Sequence, residues 1–142
     1  MKINIKLIDK SLPLPEYQTV GAVAFDLYSR IDMEIAPKSF GLVPLNIVVE
    51  TPKGFVFMVA ARSSTAKKKG LFMANSVGII DQDYCGEEDE VKFMAYNFTD
   101  DVVKIEKGER IAQGMFLPVE KAEFNVLEKM EEKSRGGFGS TG

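Results

Sequence analysis

The chain has 142 residues, a net charge of -3, one cysteine and no histidine, which together exclude several classes of function. A negative net charge argues against broad binding to nucleic acid or to anionic membranes, because both require a basic surface. Acid–base chemistry must come from carboxylates, lysine or tyrosine, and a bound metal is expected to be a hard cation such as Mg2+. The lone cysteine allows no internal disulfide, and no apolar run indicates a membrane span or a secretory leader, so we expect a cytoplasmic protein.

Short β-favouring runs alternate with proline and glycine breaks along most of the chain. We predict strands in five runs that are rich in Val, Ile, Phe and Tyr: residues 3–7, 42–49, 55–59, 91–98 and 111–119. One short helix is expected near Ser64 to Lys69, and Asp100-Asp101 is expected to form a hairpin turn. Many short strands at this spacing predict a single all-β domain, either a sandwich or a jelly roll.

The C-terminal region differs from the rest in composition. Residues 120–133 are charged and contain no internal proline, so we expect an exposed arm. Residues 134–142, Ser-Arg-Gly-Gly-Phe-Gly-Ser-Thr-Gly, include four glycines, which predicts a flexible tail. A plain Gly/Ser linker would account for this composition. A lid over a nucleotide would account for it as well, with Arg135 and the hydroxyls gripping phosphate and Phe138 covering a base.

A candidate phosphate site follows the strand predicted at 55–59. Arg62 precedes Ser63, Ser64 and three lysines at a step from strand to helix. An arginine gives a two-point grip on phosphate, hydroxyls donate hydrogen bonds, and a helix N-terminus presents N–H groups. The residues do not form a Walker A sequence, because the Gly-rich spacing is absent. A serine helix cap followed by solvated lysines explains them equally well.

A second candidate site lies in residues 75–84, Asn-Ser-Val-Gly-Ile-Ile-Asp-Gln-Asp-Tyr. Gly78 would let a ligand approach the backbone closely, so that backbone groups could contact the edge of a base. Asp81 follows two isoleucines, and a partly desolvated carboxylate there would be suited to accept a proton from water. The alternative is a strand that ends in an Asp-rich turn, with Tyr84 in the core.

Three weaker signals complete the candidates. Asp26 lies among apolar residues and is either a ligand in a turn or a buried carboxylate. Near the last predicted strand, Arg110 is interpreted as structural and Gln113 as a donor to phosphate or carboxylate. The acidic run at residues 87–90 is expected to be a solvated loop.

Together these segments resemble the trimeric dUTPase family from about residue 17 to the C-terminus. Five motifs occur in the family's order: Ala24-Phe-Asp-Leu27, Arg62-Ser-Ser64, residues 75–84, Gly108-Glu-Arg-Ile-Ala-Gln113 and Gly136-Gly-Phe-Gly-Ser-Thr-Gly142. The resemblance implies the family's β jelly roll, or β-clip barrel, with at most one short helix. It implies a domain over residues 1–133 and a lid over residues 134–142. It also implies a homotrimer in which each active site draws motifs from all three chains.

The resemblance further implies roles for individual residues. Asp81 would be the base that activates the attacking water. Tyr84 would lie under the deoxyribose and exclude a ribose 2'-hydroxyl. Asp26 would support a Mg2+ site through water. The groups that read the uracil edge would be Asn75 and the backbone of Gly78, Ile79, Ile80 and Asp81. The groups that hold phosphate would be Arg62, Ser63, Ser64 and Gln113, with Lys92 as a further substrate contact.

In the tail, the resemblance implies that Phe138 stacks on the base when the tail closes. The closed tail would contact the substrate through Arg135, Phe138, Gly139 and Ser140. The family usually has an arginine five residues before the tail phenylalanine. Here Lys133 holds that position and Arg135 follows two residues later, so either cation could reach the phosphates.

The reaction that the resemblance implies is hydrolysis of dUTP to dUMP and pyrophosphate, with Mg2+ on the triphosphate. A dCTP deaminase, or a bifunctional enzyme, shares the fold and the Arg-Ser-Ser signature, but it needs a pocket glutamate to move protons at the base. A third hypothesis is a non-catalytic regulatory protein with the same fold. The presence of Asp26, Asp81 and the tail favours the hydrolase.

Overall fold

Strands form in this chain where Val, Ile, Phe and Tyr concentrate, and they end at Pro, Gly, Asn and Asp. The structure, a computed structural model, describes residues 1–137. Within that range the elements in chain order are β1 (Asn4–Leu7), β2 (Phe25–Tyr28), β3 (Met33–Ile35), β4 (Phe40–Pro44), β5 (Ile47–Glu50), β6 (Phe55–Ala61), α1 (Thr65–Lys69), β7 (Leu71–Met73), β8 (Gly78–Ile80), β9 (Lys92–Asn97), β10 (Val103–Ile105) and β11 (Arg110–Pro118).

The strands pair antiparallel in four small sheets. The largest has the order β2-β11-β6-β8, and a three-stranded sheet has the order β4-β9-β7. Two further pairs, β1-β5 and β3-β10, complete the pairing within the described residues. The two larger sheets contribute to one hydrophobic core, in which Leu27, Phe57, Val43 and Phe93 are fully buried. This arrangement confirms the expected all-β fold with one short helix.

An aromatic cluster fixes the spacing of the largest sheet. Phe57 stacks on Phe25 at a centroid distance of 5.9 Å and on Phe116 at 5.0 Å. Gly114, in the middle of β11, leaves room for these rings, because a Cβ atom there would come within 2.6 Å of the Phe57 ring. The close packing of β11 between β2 and β6 therefore depends on a glycine at this position.

Two predictions of local structure are wrong. Residues 42–49, predicted as one strand, form β4 and β5 with different partners, β9 and β1. The break is at Asn46, which has a φ of 66° and donates from Nδ2 to the carbonyl of Asp9 at 3.0 Å. Asp100-Asp101 does turn the chain, but it joins β9 to β10, which pair with other strands, so it is not a hairpin.

The predicted short helix is confirmed as α1. It ends at Gly70, which has a φ of 69° and donates its N–H to the carbonyl of Ala66 at 3.0 Å. Thr65 anchors the first turn, because its hydroxyl donates to the carbonyl of Ile111 at 3.2 Å. The N-terminus of α1 is thereby held beside β11, which positions the residues of the candidate site.

Candidate active site

β11 brings three candidate residues to one end of the largest sheet. Gln113 lies opposite Asp26 in the pairing with β2 and opposite Ala60 in the pairing with β6. Arg62 follows the last residue of β6, so it lies beside the same pair. Gln113 donates from Nε2 to the carbonyl of Ala61 at 3.1 Å, which leaves the second hydrogen of Nε2 for a ligand.

Asp26 is a buried carboxylate that binds two arginines. Arg62 Nε donates to Asp26 Oδ1 at 2.7 Å, and Arg110 Nη1 donates to Asp26 Oδ2 at 3.1 Å. Arg62 Nη1 also donates to the carbonyl of Arg110 at 3.2 Å, and Arg110 Nη1 donates to Gln18 Oε1 at 2.9 Å. Of the two readings of Asp26, the buried carboxylate is therefore correct. Two cations on one carboxylate leave a positive excess, which suits an anionic ligand.

A cavity of about 250 Å3 opens beside these arginines. Four cationic residues line it, Arg62, Lys68, Lys69 and Arg110, against one acidic residue, Glu109. Ser64 lies at the N-cap position of α1 without a capping hydrogen bond from its side chain, and Ser63 is exposed. The Ser64 hydroxyl therefore does not cap the helix, and the phosphate site stays a prediction.

A larger cavity, of about 740 Å3, lies at the opposite end of β6, where β8 ends. It is lined by residues 79–83, by the start of β6 and by residues 117–121, and its volume is typical of a small-molecule pocket. Asp81 lies at its edge and is exposed. The expected partial desolvation of Asp81 is therefore wrong for a single chain. The reason is that β8 pairs only with β6 and leaves the cavity open to solvent.

The packing beneath β8 is close at Gly78. A Cβ atom there would lie 3.0 Å from Met73 Cε and 3.3 Å from Val59 Cβ, both in the core. This close packing is a structural reason for the glycine, and the predicted approach of a ligand to its backbone stays a prediction. Asn75 is exposed in the turn before β8, and its carbonyl accepts the Val77 N–H at 2.7 Å.

Tyr84 lies on the surface, so the alternative that placed it in the core is wrong. Its hydroxyl donates to the carbonyl of Glu90 at 3.2 Å. Glu87 and Glu88 are exposed as expected, but Glu90 is buried and paired with Arg30. The sequence shows a uniform acidic run, and only the position of Arg30 in the fold distinguishes Glu90 from its neighbours.

The remaining predicted contacts are spread over the molecule. Lys92 is exposed at the start of β9, in the other large sheet, and Arg135 is exposed beyond the last strand. Residues 120–133 form an exposed arm without regular structure, as predicted. Phe138, Gly139 and Ser140 lie outside the described residues, so their predicted contacts stay predictions.

The two cavities are far apart in one chain. Ile80 pairs with Phe57, so Asp81 lies beside Val56, whereas Arg62 follows the opposite end of β6. At about 3.3 Å per residue, the six residues from 56 to 62 separate the two ends by roughly 20 Å. Asp81 therefore does not reach the cationic cavity beside Arg62 in its own chain.

The acidic residues do not form a metal cage. Within residues 1–137, no three Asp, Glu or Cys side chains converge as ligands. Both oxygens of Asp26 accept hydrogen bonds from arginine, which does not fit direct ligation, but each oxygen has a second lone pair for a water. The donor set fits a Mg2+ ion that is carried mainly by the oxygens of a phosphate ligand. The only helix of this range has five residues, so no helix there is long and apolar enough to cross a membrane.

Comparison with known proteins decides the family. The dUTPase family profile matches residues 10–142. The chain belongs to the dUTPase family. The deoxyuridine 5'-triphosphate nucleotidohydrolase of Helicobacter pylori strain P12 is 40% identical over 144 residues, covering all of this chain and 97% of that protein. Its counterpart in Hydrogenobaculum sp. strain Y04AAS1 is 41% identical over 145 residues, covering all of this chain and 99% of that protein.

Solved structures agree with this dUTPase assignment. The dUTPase of Streptococcus mutans superposes with a TM-score of 0.77 at 34% identity, covering 84% of this chain and 98% of that chain. The dUTPase of Staphylococcus bacteriophage 80alpha, solved with dUpNHpp, superposes with a TM-score of 0.86 over 99% of this chain and 98% of that chain. At 24% identity, the phage structure shows a shared fold.

Proposed function

We propose that this chain, a dUTP diphosphatase by family, hydrolyses dUTP to dUMP and pyrophosphate with Asp81 as the general base. The observation that carries the proposal is the pair of cavities, one cationic and one holding an exposed carboxylate. A cationic pocket suits a triphosphate, and a free carboxylate suits the activation of water. The names of the relatives and the dUpNHpp complex of the phage protein support the same substrate.

In this mechanism Asp81 takes a proton from a water molecule that attacks the α-phosphorus, and pyrophosphate leaves. Arg62, fixed by Asp26, holds the phosphates together with Ser63, Ser64 and Gln113. Because Asp26 engages Nε and Nη1 lies on the Arg110 carbonyl, Arg62 presents Nη2 to a ligand. Mg2+, when bound, neutralises charge on the triphosphate. A fixed arginine stabilises developing charge better than a mobile one, since no reorganisation is needed during the reaction.

The separation of the two cavities supports an assembly with shared sites. A general base and the groups that hold the reacting phosphate must lie within a few Å of the same atom. In one chain the two sets are roughly 20 Å apart along β6, as the strand spacing gives. We infer that Asp81 of one subunit meets Arg62 and Gln113 of another, in the trimer that the family resemblance implies. Closer approach of a second subunit would also supply the desolvation that Asp81 lacks.

The activity is tested by measuring pyrophosphate, ammonia and nucleotide products from dUTP, dTTP, dCTP, UTP and dUMP, with and without Mg2+. Pyrophosphate from dUTP alone, dependent on Mg2+, is the expected result. Ammonia from dCTP would indicate a deaminase, and no product from any nucleotide would favour the regulatory alternative. The deaminase is disfavoured because residues 75–84, the predicted pocket segment, contain no glutamate, and Glu109 of the cationic cavity is paired with Lys69.

Tyr84→Ala tests the selection of the sugar. The exposed ring lies three residues after Asp81, where it would occupy the space beside the sugar C2'. Removing it is expected to lower the ratio of kcat/KM for dUTP to that for UTP by about 10- to 100-fold, because steric selection is lost. An unchanged ratio would place the discrimination elsewhere.

Deletion of residues 134–142 tests the tail. We expect the thermal midpoint to change little, because the exposed arm before the tail contributes no core contacts. Turnover of dUTP is expected to fall at least about tenfold, because closure excludes water and aligns the phosphates. Phe138→Ala should reproduce part of the loss. Full activity of the truncated protein would favour the alternative in which the tail is a plain Gly/Ser linker.

A further inference from the structure

The loop from residue 84 to residue 90 ends at Glu90, which is held by a partly buried ion pair with Arg30. Glu90 is 7% exposed, and its carboxylate accepts from Arg30 Nε at 2.7 Å and from Arg30 Nη2 at 2.9 Å. A third donor, the backbone N–H of Asn46, lies 2.9 Å from Glu90 Oε1. The hydrogen bonds that Arg30 donates to Glu90 raise the pKa of Arg30, so the guanidinium remains charged. A planar two-point contact of this kind fixes orientation as well as distance.

The backbone around Glu90 is held in the same way. Val91 donates its N–H to the carbonyl of Ile47 at 2.9 Å, and Leu45 donates to the carbonyl of Val91 at 2.9 Å. Arg30 donates its own N–H to the carbonyl of Pro44 at 2.9 Å. The position of the Glu90 carbonyl is therefore fixed on one side by the ion pair of its own side chain and on the other by the backbone hydrogen bonds of Val91. That carbonyl is the acceptor of the Tyr84 hydroxyl, at 3.2 Å.

We propose that the Arg30–Glu90 ion pair is a positioning device for Tyr84, and that it thereby sets the preference of the enzyme for deoxyribose over ribose. The proposal rests on the proposed function, in which Tyr84 contacts the sugar. Tyr84 is 37% exposed and lies outside the core cluster. The hydroxyl contact with Glu90 restrains the outer end of its ring. If the Tyr84 ring were free to move aside, the site would admit the 2'-hydroxyl of a ribonucleotide. Weakening the Arg30–Glu90 ion pair is therefore expected to raise the activity on UTP.

The test compares Glu90→Gln, Arg30→Lys and Tyr84→Phe with the unaltered enzyme. The readout is the ratio of kcat/KM for dUTP to that for UTP. Glu90→Gln removes the charge of the buried acceptor, and the ratio is expected to fall about tenfold, mainly through a lower KM for UTP. Arg30→Lys keeps the charge but loses the planar two-point contact, so we expect a smaller fall in the ratio. Tyr84→Phe removes only the hydroxyl and is expected to lower the ratio like Glu90→Gln.

A purely structural role is separated by two controls. A general loss of stability lowers the amount of active enzyme for both substrates equally, so it leaves the ratio unchanged. Asn97→Ala is the matched control. Asn97 is fully buried at the far end of β9, where its side chain donates to the carbonyls of Ile35, Ala36 and Asp101. It is expected to lower the thermal midpoint without changing the ratio.

The double variant Tyr84→Phe/Glu90→Gln tests whether the ion pair acts through Tyr84. If it does, Glu90→Gln has no further effect on the ratio once the hydroxyl is absent. Independent, additive effects would overturn the proposal, as would an unchanged ratio in the single variants. If the Glu90 and Arg30 variants do not fold, an unchanged ratio in Tyr84→Phe still overturns the proposal, because the ion pair is proposed to act on the ring through that hydroxyl. Absence of pyrophosphate release by the unaltered enzyme would instead overturn the proposed function, and with it the role of the Arg30–Glu90 ion pair in positioning Tyr84.

Discussion

Asp81→Asn is expected to lower turnover of dUTP at least about 100-fold, because asparagine keeps the shape of the side chain but cannot take a proton from water. Binding of a nonhydrolysable dUTP analogue is expected to change by only a few-fold, since the contacts with base and phosphates remain. Initial rates of pyrophosphate release, and titration with the analogue, measure the two quantities separately. A loss in kcat with little change in binding is characteristic of a group that acts in the transition state.

Asp83→Asn is the matched control. Asp83 is also exposed and lines the same cavity as Asp81, so the substitution removes the same charge two residues away. We expect its turnover to stay within about threefold, since nearby charge alone is a small effect at an exposed position. Equal losses in the two variants would indicate that the local negative charge matters and that Asp81 is not the base. Near-normal turnover of Asp81→Asn would have the same consequence.

The longer strands could be predicted from composition, and the shorter ones could not. β1, β6, β9 and β11 coincide with runs rich in Val, Ile, Phe and Tyr. β3, β7, β8 and β10 have three residues each, too few for an alternating pattern to be distinguished from a loop. These short strands are formed by their partners: β8, for example, is defined by its pairing with residues 57–59.

Motif order identified the family, but it did not predict how the site is organised in space. Asp26 was assigned to the metal through water, and the structure adds that it fixes Arg62 and Arg110. Asp26 is 36 positions from Arg62 and 84 positions from Arg110 in the sequence. Contacts over such separations leave no local signal in a single sequence. The buried state of Glu90 has the same origin, because its partner Arg30 is 60 residues away. Burial of one acid in an acidic run follows from tertiary packing alone.

The spacing of the motifs gives no sign that Asp81 and Arg62 lie far apart in one chain, and only the family resemblance implied a site shared between chains. The two lie only 19 positions apart in sequence, and both adjoin β6 or its partner. Because β8 runs antiparallel to β6, the residue after β8 and the residue after β6 lie at opposite ends of the pair. A single chain therefore holds two incomplete sites, which makes assembly a requirement of the proposed mechanism.

Mixing two inactive variants is expected to restore activity. One chain carries Asp81→Asn, and the other lacks residues 134–142; each alone is expected to be inactive or nearly so. After the two are denatured together and refolded, some sites would combine an intact Asp81 from one chain with an intact tail from another. With equal amounts and random assortment in a trimer, about a quarter of the sites have both parts intact. Activity of that order, measured as pyrophosphate release per chain, is the expected result.

The control is a mixture prepared from the two variants after each has refolded separately, so that hetero-oligomers do not form. Native mass spectrometry verifies the composition of each mixture, because the truncated chain is lighter. If the tail and Asp81 of one site came from the same chain, every site in a mixed trimer would carry one defect. A mixture that contains verified hetero-trimers and remains inactive would therefore overturn the shared site. Recovery only in the co-refolded sample would place Asp81 and the tail of one site in different subunits.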